Sequence, residues 1–408
     1  MRHVGRSMKL PARRVRGHGA SAILWSASDL CIALGAVCGC APMKPGDDRG
    51  PDSGVAADSS VETGPGVVTG CTHRSPPPRP NVTGRGGKLD LVFAVSSSFV
   101  GVSSYDDAGE SLSQGIGYDL DNTCTGEGEG PSCVEPPWAI PEHYRDGVYG
   151  IDNAAGKLFS TFRPPPPETS MAAATTATLM FRVRGYSGEP DDDQVDVSVY
   201  VGFGLAPRQD GESGPVWDGQ DRWTILPETL VPFGDAGTVT YSVDQPRFRD
   251  DRAYVSGGVL VAHFAEVLLP AGLVLAPDAL APVEQAIMSG RLVQGGEGWE
   301  LQNGVGAERV KLTDVLRTTA RYPSSSDPSQ PLCKFPVLYQ GLKDQFCAYA
   351  DIASGPDSPS SPCDALSGGS LFQAKQALLG DIGPPANPLP PCAPDVSDPD
   401  TCDTLADQ

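Results

Sequence analysis

The sequence predicts a mainly β protein, an antiparallel β-sandwich of the jelly-roll type with a small disulfide-clipped helical insertion near the C-terminus. Three observations lead there. Apolar and polar residues alternate over several long stretches, clusters of Gly, Pro, Asp and Ser punctuate them, and helical spacing is confined to one late region.

The first stretch is "KLDLVFAV", where Leu89, Leu91, Phe93 and Val95 share one face of a strand. "TLMFRVRGY" repeats the pattern with Leu179, Phe181 and Val183. In "QVDVSVYVGFG", Val195, Val197, Val199, Val201 and Phe203 face one way, and Gln194, Asp196, Ser198 and Tyr200 the other. The intervening "SGEPDDD", with Asp191 to Asp193 as an exposed turn, predicts a long hairpin. "TVTYSVD" from Thr238 reads as a further strand. "GGVLVAHFAEVLL" from Gly257 is apolar on both faces and reads as a central one, while His263, Glu266 and Pro270 argue against a membrane span.

The period then changes. "AERVKLTDVLRTTARY" sets Val310, Val315 and Leu316 near helical spacing, and "FPVLYQGLKDQFCAYADIAS" sets Leu338, Leu342, Phe346 and Tyr349 three or four apart. These predict helices near 307–353. "GSLFQAKQALLG" returns to strand character. The expected organisation is a signal peptide over 1–39, a disordered Pro, Gly and Ser tether over 40–87, a β-sandwich domain over 88–383 and a Pro-rich acidic tail over 384–408. The length of the folded part also allows two domains.

The N-terminus has the layout of a secretory signal: Arg2, Arg6, Lys9, Arg13, Arg14 and Arg16 precede an apolar run from Leu30 to Val37. Asp29 leaves that run shorter than the roughly 20 residues of a spanning helix. The run ends in Val37-Cys38-Gly39-Cys40, which resembles a bacterial lipobox. Cys40 would then be lipidated and become the mature N-terminus. The expected location is extracytoplasmic, with the protein membrane-anchored at the outer membrane or cell surface.

Cysteine usage agrees with export. Of 11 cysteines, Cys31 and Cys38 leave with the signal and Cys40 takes lipid. The rest are Cys71, Cys124, Cys133, Cys333, Cys347, Cys363, Cys392 and Cys402, an even set suited to disulfides in an oxidising compartment. None forms a CxxC pair, and no zinc spacing is present. Cys124 with Cys133 is the expected local pair, and the connectivity of the C-terminal group stays open. The formal net charge is −21 and becomes five units more negative without residues 1–39. Such a surface repels phosphate backbones and excludes nucleic acid as a natural partner.

Two loops carry candidate metal ligands. Asp119, Asp121 and Asn122 lie on one, and Asp146, Asp152 and Asn153 on the other. Calcium takes six to eight oxygen ligands, which these carboxylates and amides could largely supply. The spacing is not that of an EF-hand, and the competing role for these side chains is capping of local turns. "PVWDGQDRWTI" offers a second candidate, with Trp217 and Trp223 as sugar-stacking faces and Asp218 and Asp221 as hydroxyl partners. Here the competing role is core covering.

Catalytic signatures are missing. There is no HExxH and no GxSxG, and after removal of the signal the histidines are His73 in the tether, His143 in a loop and His263 in the apolar strand, where it reads as a core or interface residue.

The order "GYDLDNTCT", "DGVYGIDNAAGKLF", "WDGQDRW", "CDALSGGSLFQAKQALLG" and "PPANPLPPC" resembles a family of secreted lipoproteins of myxobacteria, over most of the chain from Leu89 to Cys392. The resemblance implies location and architecture, not an activity. The expected function is therefore binding or structural, with a glycan or other envelope polymer as ligand and calcium as cofactor. The alternatives are a carbohydrate-active hydrolase on the same sandwich and a purely structural envelope component.

Overall fold

The alternating stretches form the strands they predict. In the computed structural model the described residues run from Cys71 to Cys402, with breaks of which the longest are 100–114, 163–171, 208–213, 271–279 and 393–399. The signal, the lipobox with Cys40, and residues 41–70 of the tether lie outside the described residues. The strands are β1 (Leu89–Phe99), β2 (Ala172–Ala173), β3 (Ala177–Tyr186), β4 (Asp192–Leu205), β5 (Arg222–Ile225), β6 (Phe248–Ser256), β7 (Val259–Pro270), β8 (Leu280–Gly295), β9 (Gly298–Lys311), β10 (Ala365–Gln376) and β11 (Leu378–Ile382). The helices are α1 (Ala154–Phe162), α2 (Leu312–Arg321) and α3 (Pro336–Ala348).

The sandwich expectation is corrected. Pairing runs β4-β3-β1-β10-β9-β8-β7-β6, and β6 pairs back onto β4 from Asp192↔Val255 to Val199↔Phe248. Every one of these junctions is antiparallel, so the sheet closes into an eight-stranded barrel. A period of two puts one face of each strand in a core. It does not say whether that core lies between two sheets or inside one closed sheet.

The inward positions make the main core: Phe93, Phe181, Val197, Phe248, Phe264, Leu301 and Phe372 are all buried in one cluster. Strand β4 is buried on both faces because a short outer layer covers it. There β5 pairs with β4, β11 runs parallel to β5, and Trp223 and Ile225 pack on Met180 and Tyr200. Junction lengths differ. β7 and β8 pair from Val259↔Arg291 to Pro270↔Leu280, whereas β6 and β7 pair only over Tyr254–Ser256. Below that ladder the Asp250 carboxylate takes the N–H groups of Arg252 at 2.9 Å and His263 at 2.8 Å, which satisfies backbone donors where the strands part.

Other expectations meet the structure piecewise. The β3–β4 hairpin forms as expected. Its turn includes Asp192, which is fully buried and accepts the N–H groups of Ser187 and Gln194. "TVTYSVD" forms no strand over its described residues; Thr240 bridges Phe233 and the chain turns at Ser242. The helix expected from Ala307 starts at Leu312, because β9 continues through Lys311 against β10.

Residues 71–84 are also more structured than a tether. Arg79 donates to the carbonyls of Asp193 and Arg252, and the Tyr254 hydroxyl donates to Pro77 at 2.6 Å. The four disulfides are Cys71–Cys124, Cys133–Cys363, Cys333–Cys392 and Cys347–Cys402. All eight expected cysteines pair, but Cys124 bonds to Cys71 rather than to Cys133. A sequence-local partner loses to one brought close by the fold.

Candidate metal centre

The two acidic loops meet on the outside of β8, β9 and β10. Tyr118 anchors the first loop, packing on Val305 and Ala307 with its hydroxyl 2.5 Å from Ser289 Oγ. The N-terminal segment laces both loops together. Asp119 N–H donates to Arg74 at 2.9 Å, Arg74 N–H donates to Tyr149 at 2.9 Å, and Cys71–Cys124 closes the connection. Gly150 sits at φ 68°, where a Cβ would stand 2.9 Å from both Asp119 Oδ2 and Cys124 Sγ. No larger residue allows the second loop to approach so closely.

This folding brings Asp119, Asp121 and Asp152 together. All three are buried, and one oxygen from each lies within 4.8 Å of the others. Opposite ligands of a calcium bound at about 2.3–2.6 Å are about 5 Å apart, so the spacing suits one ion. Backbone amides fix the carboxylates: Asn122 N–H bonds Asp119 at 2.6 Å, Thr123 N–H bonds Asp121 at 2.9 Å, and Leu120 N–H bonds Asp152 at 2.6 Å. Each bond leaves acceptor capacity on its carboxylate. A second grouping of His73, Cys124 and Glu129 is no ligand set, since the Cys124 sulfur is in a disulfide.

The electrostatics are those of crowded anions. Burial pushes Asp121 up to about 6, with the charges of Asp119 and Asp351 adding to it. Burial and then the Asp121 charge push Asp146 up to about 8. Asp152 rises well above the carboxylate range through burial and the charges of Asp121, Asp146 and Asp351. Asp351 rises through burial. Lys157, which donates to the Arg145 carbonyl, is lowered by burial although these acids oppose the shift. A divalent cation would relieve the repulsion that otherwise favours protonation.

The other expected ligands are placed differently. Asp146 accepts the Thr125 N–H at 2.6 Å and stands beside the trio, acting on it through its charge. Asn122 is exposed at φ 56° and serves the turn. Asn153 is buried and its amide is occupied three times: it donates to Ile116 O at 3.0 Å and accepts the N–H groups of Gly156 at 2.9 Å and Gly369 at 3.0 Å. It caps α1 and ties the loop to β10.

Sequence reasoning missed His73 and Asp351. His73 hydrogen-bonds Asp119, and that bond raises its pKa. Asp351 accepts both the N–H and the hydroxyl of Ser367. Neither lies near the acidic loops in sequence, and only the disulfide and strand pairings bring them there.

The tryptophan segment packs inward. Trp223 is wholly buried, and its ring centroid lies 6.2 Å from that of Trp217. Asp221 is also fully buried and accepts the N–H groups of Val216 at 3.2 Å and Trp217 at 2.7 Å. Asp218 accepts the Gln220 N–H at 2.9 Å. Trp217, at φ 63°, and Asp218 keep partial exposure.

The remaining histidines have local roles. His143 stacks on Tyr349 with centroids 3.7 Å apart, and its Nδ1 is 3.0 Å from Ala348 O. His263 is exposed on the outer face of β7, not in the core. It borders a groove of about 960 Å³ that also includes Arg79, Arg184, Asp196 and Asp250. The charges there are engaged with the fold: Asp196 binds Arg184 at 3.4 Å and Arg249 at 2.6 Å.

Fold and site together define a class, a disulfide-locked eight-stranded β-barrel protein with a buried carboxylate centre. No family model, curated protein or solved structure matches the chain.

Proposed function

We propose that this is an exported protein of binding or structural role, held at the outer membrane or cell surface by a lipid on Cys40, with a calcium ion bound by Asp119, Asp121 and Asp152. The observation that carries the cation is the buried trio with its oxygens within 4.8 Å. Four disulfides support the oxidising compartment, and the lipobox supports the anchor. Such an origin would also fit the secreted myxobacterial lipoproteins that the motifs resemble. The ion would be structural, since it would join loops already tied to Cys71 and to β10.

A glycan or envelope polymer is the proposed ligand class, with Trp217 and Asp218 as the exposed part of the tryptophan segment. The hydrolase alternative is less well supported. It needs a carboxylate pair open to a polymer, and Asp119, Asp121 and Asp152 are buried.

Thermal unfolding of the oxidised protein in EDTA, and then in calcium, tests the cation. A ligand that binds only the native state at 100 times its dissociation constant adds about 2.7 kcal/mol. The midpoint should rise with calcium in the wild type and stay flat in Asp152→Asn. No rise in the wild type would return the acids to turn capping. Retention on immobilised glycans without release of reducing ends, lost in Trp217→Ala, tests the ligand separately.

A further inference from the structure

The barrel lumen is filled unevenly. Around Phe93, Phe181, Phe248, Phe264 and Leu301 it is packed with large apolar side chains. Toward the end where β1 and β4 finish, Val267, Val283 and Val310 keep the β7–β9 side apolar, while the inward positions of β1 and β10 and the glycines of β9 become small or polar. Alternation with Phe372 places Ser370 and Gly368 inside, and register places Ser98 opposite Phe372 and Glu308 opposite Gly368. Gly304 also faces inward, since a Cβ there would meet the Phe372 ring at 2.4 Å. A Cβ on Gly306 would meet Ser370 Oγ at 2.6 Å and lie 3.7 Å from Glu308 Oε2, and one on Gly368 would lie 2.8 Å from Glu308 Oε1. Glycines thus make the room that the Glu308 side chain occupies.

Glu308 is deeply enclosed by the barrel yet retains accessible surface, as does Ser370 beside it, and so do Ser98 on β1 and Ala177 on β3 farther round the wall. Retained surface at enclosed positions leaves Glu308 and Ser370 open to a guest at this end of the barrel. Phe203, which pairs with Ala177 at the same end, is 39% exposed. No hydrogen bond or ion pair to Glu308 is formed among the described residues, and burial pushes its carboxyl up to about 7. A carboxylate left without a partner inside a protein is costly, and a positively charged donor is the partner that relieves it.

Eight strands give a barrel just wide enough either to be filled by side chains or to hold one small molecule. We propose that this end of the lumen is a binding cup for a small organic amine, whose ammonium group bonds Glu308 and Ser370 while its apolar body rests on Phe372 and Phe203. The carboxylate supplies charge, and the aromatic rings favour a cationic guest over a neutral one. This site lies inside the barrel, apart from the acidic loops outside β8–β10, and does not depend on the calcium reading.

The test is calorimetric titration of the oxidised full chain with benzylamine, and with benzyl alcohol and benzoate as neutral and anionic analogues. Benzylamine should bind, benzyl alcohol more weakly, and benzoate not at all. Glu308→Gln should lower benzylamine affinity about tenfold to a hundredfold, the size of a charge-assisted hydrogen bond, and leave benzyl alcohol unchanged. Ser370→Leu, which fills the cup, should abolish both. Unfolding midpoints in the presence of EDTA verify that each variant is folded. Absence of benzylamine binding in the wild type would overturn the proposal. So would equal binding to Glu308→Gln, which would mark simple attraction to an acidic surface.

Discussion

The side-chain oxygen of Asn153 accepts the backbone N–H of Gly369 at 3.0 Å, joining the second acidic loop to β10 across 216 positions of sequence. The same oxygen takes the Gly156 N–H, and the amide nitrogen donates to Ile116. One buried side chain thereby fixes the start of α1, the first loop and the barrel wall. Asn153→Ala should cost about 2–4 kcal/mol, since it strands two donors and one acceptor. Asn153→Asp, which keeps the acceptor, should recover part of the loss. Urea midpoints decide, and an unchanged midpoint in Asn153→Ala would remove its role as a strut.

Charge removal at the cation centre should change sign with calcium. In EDTA, burial and the charges of Asp121, Asp146 and Asp351 keep Asp152 protonated at a cost in stability, so Asp152→Asn, which removes that cost, should raise the unfolding midpoint by a few degrees. In saturating calcium the same variant loses a ligand and should melt below the wild type. Two scans per protein suffice. A shift of the same sign in both would mean that Asp152 serves only the loop.

Among the disulfides, Cys133–Cys363 spans 230 positions and connects the first loop region to the start of β10. Replacing both cysteines by Ala should cost about 3–5 kcal/mol through the freer unfolded chain. Peptide mapping of the oxidised protein should recover this link and Cys71–Cys124, with no Cys124–Cys133 peptide. A recovered Cys124–Cys133 link would contradict the arrangement of both loops.

Glu308 should give the protein a distinctive pH response. Burial raises its carboxyl to about 7 in the folded state, against an ordinary value of about 4.3 in the unfolded chain. Between those values the native state holds the extra proton. This contribution to stability is complete below about 4 and is lost as pH rises through about 7. In EDTA at fixed salt, the midpoint of Glu308→Gln should therefore gain on the wild type between pH 5 and pH 8. Parallel profiles would show that Glu308 does not titrate in that window.

Much of the wall was legible in sequence. Val195, Val197 and Val199 alternate because every second residue faces the lumen, and Phe93 and Phe181 follow the same rule. Closure was not legible, because the pairing of Val199 with Phe248 leaves no local mark. The cation trio was half legible. Loops dense in Asp and Asn announced a cluster, but only the fold distinguishes Asp152, aimed at its neighbours, from Asn153, spent on backbone. Glu308 raised no signal at all. A single acid in "GVGAERV" reads as a strand's solvent face until Gly306 and Gly368 show that its side chain points into the lumen.

The short ladder between β6 and β7 bears on how the lumen exchanges with its surroundings. Among the described residues it is the briefest seam in the wall, confined to Tyr254–Ser256, with the Asp250 carboxylate stitching what the backbone leaves open. Fewer bonds must break there than along β7 and β8, so local breathing should start at this seam while the rest of the cylinder stays intact. A rigid vessel with one loosely sewn side can admit and release a guest without unfolding, and its amides along that line should be the first in the wall to trade their hydrogens for deuterium.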